Sequence, residues 1–203
     1  MSQVTEISQL VVRERQSRVR HLTDQLRACF HPDATVTTSW LKGSAAAFVS
    51  GGDTRSGRSS EPIINRLGPP LVYESRRRAV VELPSTTIRW IQVNGVEAEL
   101  ASFMRLLYRV EQRDGIWGIS DLTAINEADT LTPAVPGTDL HVDPDAVAGL
   151  RHPYRFLAYT RSLDGEAVNP DLYGIDRPDV VHALYDDAFA WSAQQPAEPG
   201  TEA

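Results

Sequence analysis

The 203-residue chain has a single cysteine, Cys29, so neither an intrachain disulfide nor a zinc site built on cysteines is open to it. That usage fits a reducing compartment, and the expected location is cytoplasmic. No stretch approaches the roughly 18 consecutive apolar residues of a membrane span. Met1–Val12 lacks the basic start, apolar run and small-residue cleavage site of a secretory leader. Positive charge is also in deficit. Lys and Arg number 20 against 27 Asp and Glu, a formal net charge of −7. This argues against nucleic acid or an anionic membrane as partner, since both reward basic surfaces. His21, His31, His141, His152 and His182 show no metal-ligand spacing such as His-Glu-x-x-His, and no metal or organic cofactor is expected. "GGDTRSGRSS" is glycine-rich but lacks the Gly-Lys-Ser/Thr ending that cradles nucleotide phosphates. A Gly-x-Ser-x-Gly nucleophile elbow is absent too.

What is present is an ordinary globular mixture, 41% hydrophobic and 23% charged, long enough to bury a core without staples. Residues 4–30 read as one long helix, with Ile7, Val11, Val19, Leu22, Leu26 and Phe30 recurring on one face. His31-Pro32 should stop it, because proline disfavours helical geometry in the residue before it. "TVTTSWL" is β-branched and aromatic and reads as a strand over 34–41. "GSAAAFVSGG" reads as a short helix capped by Ser44 and ended by glycine, and 53–61 as a polar mobile loop. From 62 to 128 the signal is β throughout, with Asp114-Gly115 suited to a tight hairpin turn. A proline-rich connector, "TLTPAVPGTD", follows, then helices over 143–163 and 177–193 and a disordered tail. The order is an α+β layout.

That order, carried by "LRACFHPDATVTTSWLKGSAAAFV", "NRLGPPLV", "RAVVEL" and "LLYRVEQRDGIWGIS", resembles the SnoaL-like branch of the NTF2-like superfamily. The resemblance implies a cone: a curved antiparallel sheet closed by N-terminal helices over residues 1–130. Residues 131–195 would form a helical extension packing on it, and 196–203 a disordered tail. It also implies a cofactor-independent lyase, isomerase or cyclase acting on a small, largely apolar or aromatic ring compound. Non-catalytic binding or assembly modules of the same superfamily are the alternative. Relatives often carry an Asp–His pair in the cone. The Asp lies about three helical turns before the closing Phe, which here reaches Val19. The His stands where this chain has Asn65. Neither Val19 nor Asn65 is a useful general base, but the Asn65 amide can hold and orient a substrate oxygen and is a candidate site residue in that role. In the same family the His31-Pro32-Asp33 corner joins the first helix to the first strand, a structural role, with Asp33 satisfying backbone donors near the turn.

Other groups are candidates for the chemistry. Arg15 shares the apolar helix face, where it either binds an anionic oxygen or snorkels to the rim. Period-two alternation places Met104, Leu106, Tyr108 and Val110 on one face of their strand, and Arg105, Leu107 and Arg109 on the other. Tyr108 is then a phenol in an apolar pocket, either donating to substrate or packed in the core. Asp121 would replace the missing base if it faced inward. Val19, Leu22, Trp40, Tyr73, Trp90, Met104 and Leu106 are the candidate ligand contacts. The resemblance also implies a homodimer or homotrimer assembled through the outer face of the sheet, for which Arg105, Leu107 and Arg109, opposite Tyr108, are the candidate contacts.

Overall fold

The computed structural model describes residues 2–56 and 63–194, with the side chains of 52–56 left aside. The expected tail and most of the expected loop after residue 53 lie outside the described residues. The N-terminal helical region is two helices rather than one. Helix α1 spans Gln3–Val19 and begins at Ser2, whose Oγ accepts from the Thr5 amide. It ends where His21 adopts a left-handed φ of 55°. A short α2, Thr23–Arg27, follows after that break, so residues beyond Val19 leave the phase of the α1 stripe. Leu22 is consequently 40% exposed.

The His-Pro-Asp corner lies inside the first strand, β1 (Phe30–Thr37), rather than at a helix stop. Its role is structural. His31 Nε2 sits 2.9 Å from the Glu111 carbonyl, in space that exists only because residue 118 is glycine: a Cβ there would lie 2.7 Å from the imidazole. Asp33 accepts from the Arg113 guanidinium at 2.7 Å instead of capping the turn. After β2 (Lys42–Ser44), Ser44 Oγ accepts from the Ala47 amide and opens α3. Helix α3 runs Ala45–Ser56, past the two glycines expected to end it. Gly51 is required there for a different reason: the Trp40 ring lies 2.7 Å from where its Cβ would be.

The sheet consists of β1, β2, β3 (Ile64–Leu67), β4 (Leu71–Ser75), β5 (Arg78–Val93), β6 (Val96–Arg113) and β7 (Ile116–Pro133). Its order is β2-β1-β7-β6-β5-β3, with β4 also paired to β5. It is mixed, since β1 runs parallel to β7 while the other pairs are antiparallel. Two tight turns set the long meander in register. Asn94-Gly95 and Asp114-Gly115 all have positive φ, the geometry whose twist matches that of the flanking strands. β5 passes through Pro84 without breaking, because Pro84 lies where β4, paired up to Glu82, gives way to β3, paired from Ser85. β7 likewise continues into the expected connector as far as Pro133.

The concave face holds the main core. Ile7, Leu10 and Val11 of α1 and Phe48 of α3 pack on Val81, Leu83, Leu106, Tyr108, Ile119 and Leu122. The C-terminal segment is α4 (Pro144–Val147), a 3₁₀ turn (His152–Tyr154), α5 (Arg155–Leu163) and α6 (Pro178–Ala193), so the helix expected over 143–163 is in pieces. It covers both sides of the sheet. Tyr154 and Leu157 pack against Leu100, at the far end of the face that bears Tyr108. Val181 and Ala188 of α6 pack on Val80, Leu107 and Ile125, on the convex face. The face expected to build an oligomer is thus already occupied by the chain itself. Leu107 is 2% exposed, Arg105 donates to the Tyr185 hydroxyl at 3.1 Å, and Arg109 pairs with Asp187.

Candidate active site

The buried stripe of α1 reads Ile7, Leu10, Val11, Glu14, Arg15 and Ser17. Glu14 therefore falls three residues after Val11 on the core-facing side, one turn before the end of the helix. It has no exposed surface, and neither has Tyr108. The Tyr108 hydroxyl donates to Glu14 Oε2 at 2.9 Å. Arg15 grips the same carboxylate with both arms, Nε to Oε2 at 2.9 Å and Nη2 to Oε1 at 2.5 Å. The β6 register explains why Tyr108 arrives there: it pairs with Val81 on one side and Leu122 on the other, at the centre of the concave face. The Glu14 carboxylate thus accepts from both Arg15 and Tyr108, a trio walled by apolar side chains.

Electrostatics assigns the protons. Burial, followed by the Glu14 charge, pushes the Tyr108 phenol well above its ordinary value, so it is a donor and not a base. Burial alone would lower the Arg15 guanidinium, but the carboxylate beside it and the neighbouring phenol raise it overall. Arg15 stays charged and keeps Glu14 anchored. Arg15 also lies 5.7 Å from the centre of the Phe48 ring. Arg18 stacks on the same ring at 4.1 Å and donates to the Phe48 carbonyl at 2.7 Å. Phe48 in turn stacks on Trp40, with centroids 5.5 Å apart. Trp40 borders a cavity of about 400 Å³, so a continuous row of rings and cations leads from that cavity to the trio.

The other expected residues divide into two sets. Leu106 and Met104 line the concave face, and Asn65 points inward from β3, 8% exposed, donating to the Thr87 hydroxyl at 2.7 Å. Val19 is half-buried in the last turn of α1. Leu22 faces solvent. Tyr73 is 44% exposed on β4 and packs edge-on against Phe189 of α6, with centroids 5.2 Å apart. Trp90 shares the parity of Val80 on β5 and so the convex side. Asp121 lies opposite Arg109 on that same side. It accepts from Thr35 and Thr123, and desolvation raises its carboxyl despite those bonds. None of these last four reaches the trio. Glu14, Phe48 and Arg18 were not foreseen; the available signal for Glu14 was its place in the Ile7–Val11 spacing. Among the described residues no cluster of three or more His, Cys, Asp or Glu has the arrangement of a metal site, and no helix is long and apolar enough to cross a membrane.

A curved sheet closed by helices is the architecture of the NTF2-like cone proteins, and the chain has that fold. A solved hexachlorocyclohexane dehydrochlorinase, LinA Type2, superposes with a TM-score of 0.57 at 13% identity, covering 68% of this chain and 94% of its own. The LinA-type3 dehydrochlorinase of Novosphingobium barchaimii LL02 gives 0.52 at 17% identity, over 68% and 94%. The Kfla4162 protein of Kribbella flavida gives 0.51 at 13% identity, over 64% and 90%. In sequence, an uncharacterized protein of Emericella nidulans, AN9274, is 26% identical over 161 residues, 74% of this chain and 67% of that protein. No family model matches.

Proposed function

We propose that the chain is a cofactor-independent enzyme of the lyase or isomerase type, acting on a small, largely apolar ring compound. The observation that carries this is the Glu14–Arg15–Tyr108 trio. Burying a carboxylate and a guanidinium costs several kcal/mol per ion, and apolar residues of similar volume often replace such pairs without loss. A charged trio on the concave face of a cone therefore points to use rather than to stability. Glu14 is the base that the absent Asp–His pair would otherwise supply. It takes a proton from a ring carbon, the C–H electron pair becomes a new double bond, and the leaving group departs with its own bonding pair. As Glu14 takes the proton, Tyr108 turns its one hydroxyl hydrogen from Glu14 to the departing or rearranging heteroatom, Arg15 orients Glu14, and Asn65 orients the ring. Two of the similar structures are dehydrochlorinases by name, which supports elimination as the reaction class. Since Glu14 and Tyr108 have no exposed surface, this reading requires the cone to open before substrate reaches them.

The test is turnover of a panel of chlorinated and hydroxylated rings, read as chloride release and absorbance of the new double bond. Glu14→Gln should lose about 10²- to 10⁴-fold, as expected for a proton-transfer residue. Asn65→Ala should lose about three- to tenfold, the size of one hydrogen bond. Undiminished turnover in Glu14→Gln would sink the assignment. One observation favours a second reading, a non-catalytic binding or assembly module: the trio's groups satisfy one another and the surrounding core is filled by the chain's own side chains. A folded protein that turns over nothing in the panel would favour it.

A further inference from the structure

The cavity that Trp40 borders lies away from the trio. It lies between the loop joining β1 to β2 and the stretch that follows α5. Its walls include Thr38, Trp40, Lys42, Arg161, Glu166 and Asn169, and its volume is about 400 Å³, within the roughly 300–1,000 Å³ of small-molecule sites. Three features bear on what it takes. The first is charge. Lys42 and Arg161 face a single acidic wall residue, Glu166, so the lining is net positive on a chain whose net charge is −7. A positive concavity on an acidic protein concentrates anions locally while the rest of the surface repels them. The second is the indole of Trp40, held in place by its stack on Phe48 and by Arg18, 5.1 Å from its centre. A fixed ring of that kind is a platform for a planar ligand. The third is polarity without a partner: the Thr38 hydroxyl oxygen is buried in the cavity wall with no hydrogen-bond partner among the described residues, and a rotation of its side chain would turn the donor toward a ligand oxygen. The site also needs the C-terminal extension, because Arg161 of α5 reaches back across the fold toward the Ser39 carbonyl and hydroxyl, at 3.3 and 3.4 Å.

From these we infer that this cavity is a binding site for a small planar ring compound carrying a carboxylate. The ring lies against Trp40, and the carboxylate meets Lys42, Arg161 and the Thr38 hydroxyl. The inference does not rest on Glu14 chemistry, and its readout is binding rather than turnover.

The experiment is calorimetric titration of the full chain with 2-naphthoate and with its uncharged counterpart 2-naphthamide, with the Trp40 indole N–H followed by NMR. Naphthoate should bind at least tenfold more tightly, shift the Trp40 signal and weaken as salt is raised. Lys42→Glu, at an exposed position, should weaken naphthoate at least tenfold and leave naphthamide unchanged. Ala167→Trp, also at an exposed position on the cavity wall, should abolish both. Equal affinity for the two probes, an unchanged naphthoate affinity in Lys42→Glu, or no binding of either probe at millimolar concentration would each overturn the site. Glu14→Gln should bind naphthoate as the parent does, so a failure of the proposed chemistry and a failure of this site remain distinguishable.

Discussion

Arg15→Met is the sharpest perturbation of the buried trio. Methionine keeps the apolar stem of Arg15 and removes the guanidinium that donates twice to Glu14. The carboxylate, with no exposed surface, is then left with one donor, Tyr108. Removing one partner of a buried ion pair costs about 3–5 kcal/mol. At about 2–4 °C per kcal/mol for a chain of this size, Tm should fall by about 6–20 °C. Tyr108→Phe removes one hydrogen bond to a charged acceptor, about 1.5–3 kcal/mol, and should lower Tm by about 3–12 °C. The triple variant Glu14→Leu, Arg15→Met, Tyr108→Phe leaves none of the trio's polar groups buried and unpaired. Apolar replacement of buried ion pairs is often neutral, or stabilising by about 1–4 kcal/mol, so the triple variant should melt at or above the parent while losing any turnover. Scanning calorimetry at near-neutral pH measures all three. An Arg15→Met protein that melts within about 2 °C of the parent, less than 1 kcal/mol, would refute the idea that a buried carboxylate depends on that guanidinium. A triple variant less stable than Arg15→Met would refute the claim that the trio is kept at the expense of stability.

Ending the chain at Asp176 removes α6 and bares Val80, Leu107 and Ile125; light scattering should show self-association, and a soluble monomer matching the full chain would contradict the role given to α6. Glu111 governs part of the acid response. Burial alone would raise its carboxyl, but hydrogen bonds from Arg78 and Arg113 hold it below the ordinary value. A depressed folded value contributes stability that is complete above the unfolded value of about 4.3 and is lost as pH falls through the folded one. Glu111→Gln should therefore be less stable than the parent at neutral pH and lose less on acidification, as read by urea midpoints across the acid range; parallel acid limbs would contradict this.

The fold was largely legible because its signals are local. Alternation in "FMRLLYRV" sorts Tyr108 from Leu107, and Asn94-Gly95 and Asp114-Gly115 mark hairpins whose turns demand positive φ. The break after Val19 was not legible. His21 takes a left-handed φ with neither glycine nor proline at the site to announce it, so the stripe was carried through to Leu22 in a phase the chain has abandoned. Pro84 and Pro133 hid strand continuity, because a missing donor matters only where a neighbour needs it. The site was harder, because its parts are distant. Glu14 sits in the charged run "RERQSR", and only the fold brings its carboxylate against a phenol 94 residues further on. Asp121 and Tyr73 went astray for a related reason: alternation says which residues share a face, not which face looks into the cone.

The arrangement of α6 over the convex face also has a consequence on the ribosome. β5, β6 and β7 are joined by tight turns and can pair as soon as they emerge. The helix that shields Val80, Leu107 and Ile125 ends at Ala193, about 60 residues after β7 closes at Pro133. At about 5–20 residues per second, the nascent sheet spends roughly 3–12 s with an apolar face uncovered. Over that interval the finished meander presents an apolar face that the finished protein covers, and it is then that contact with a neighbouring nascent chain competes with folding.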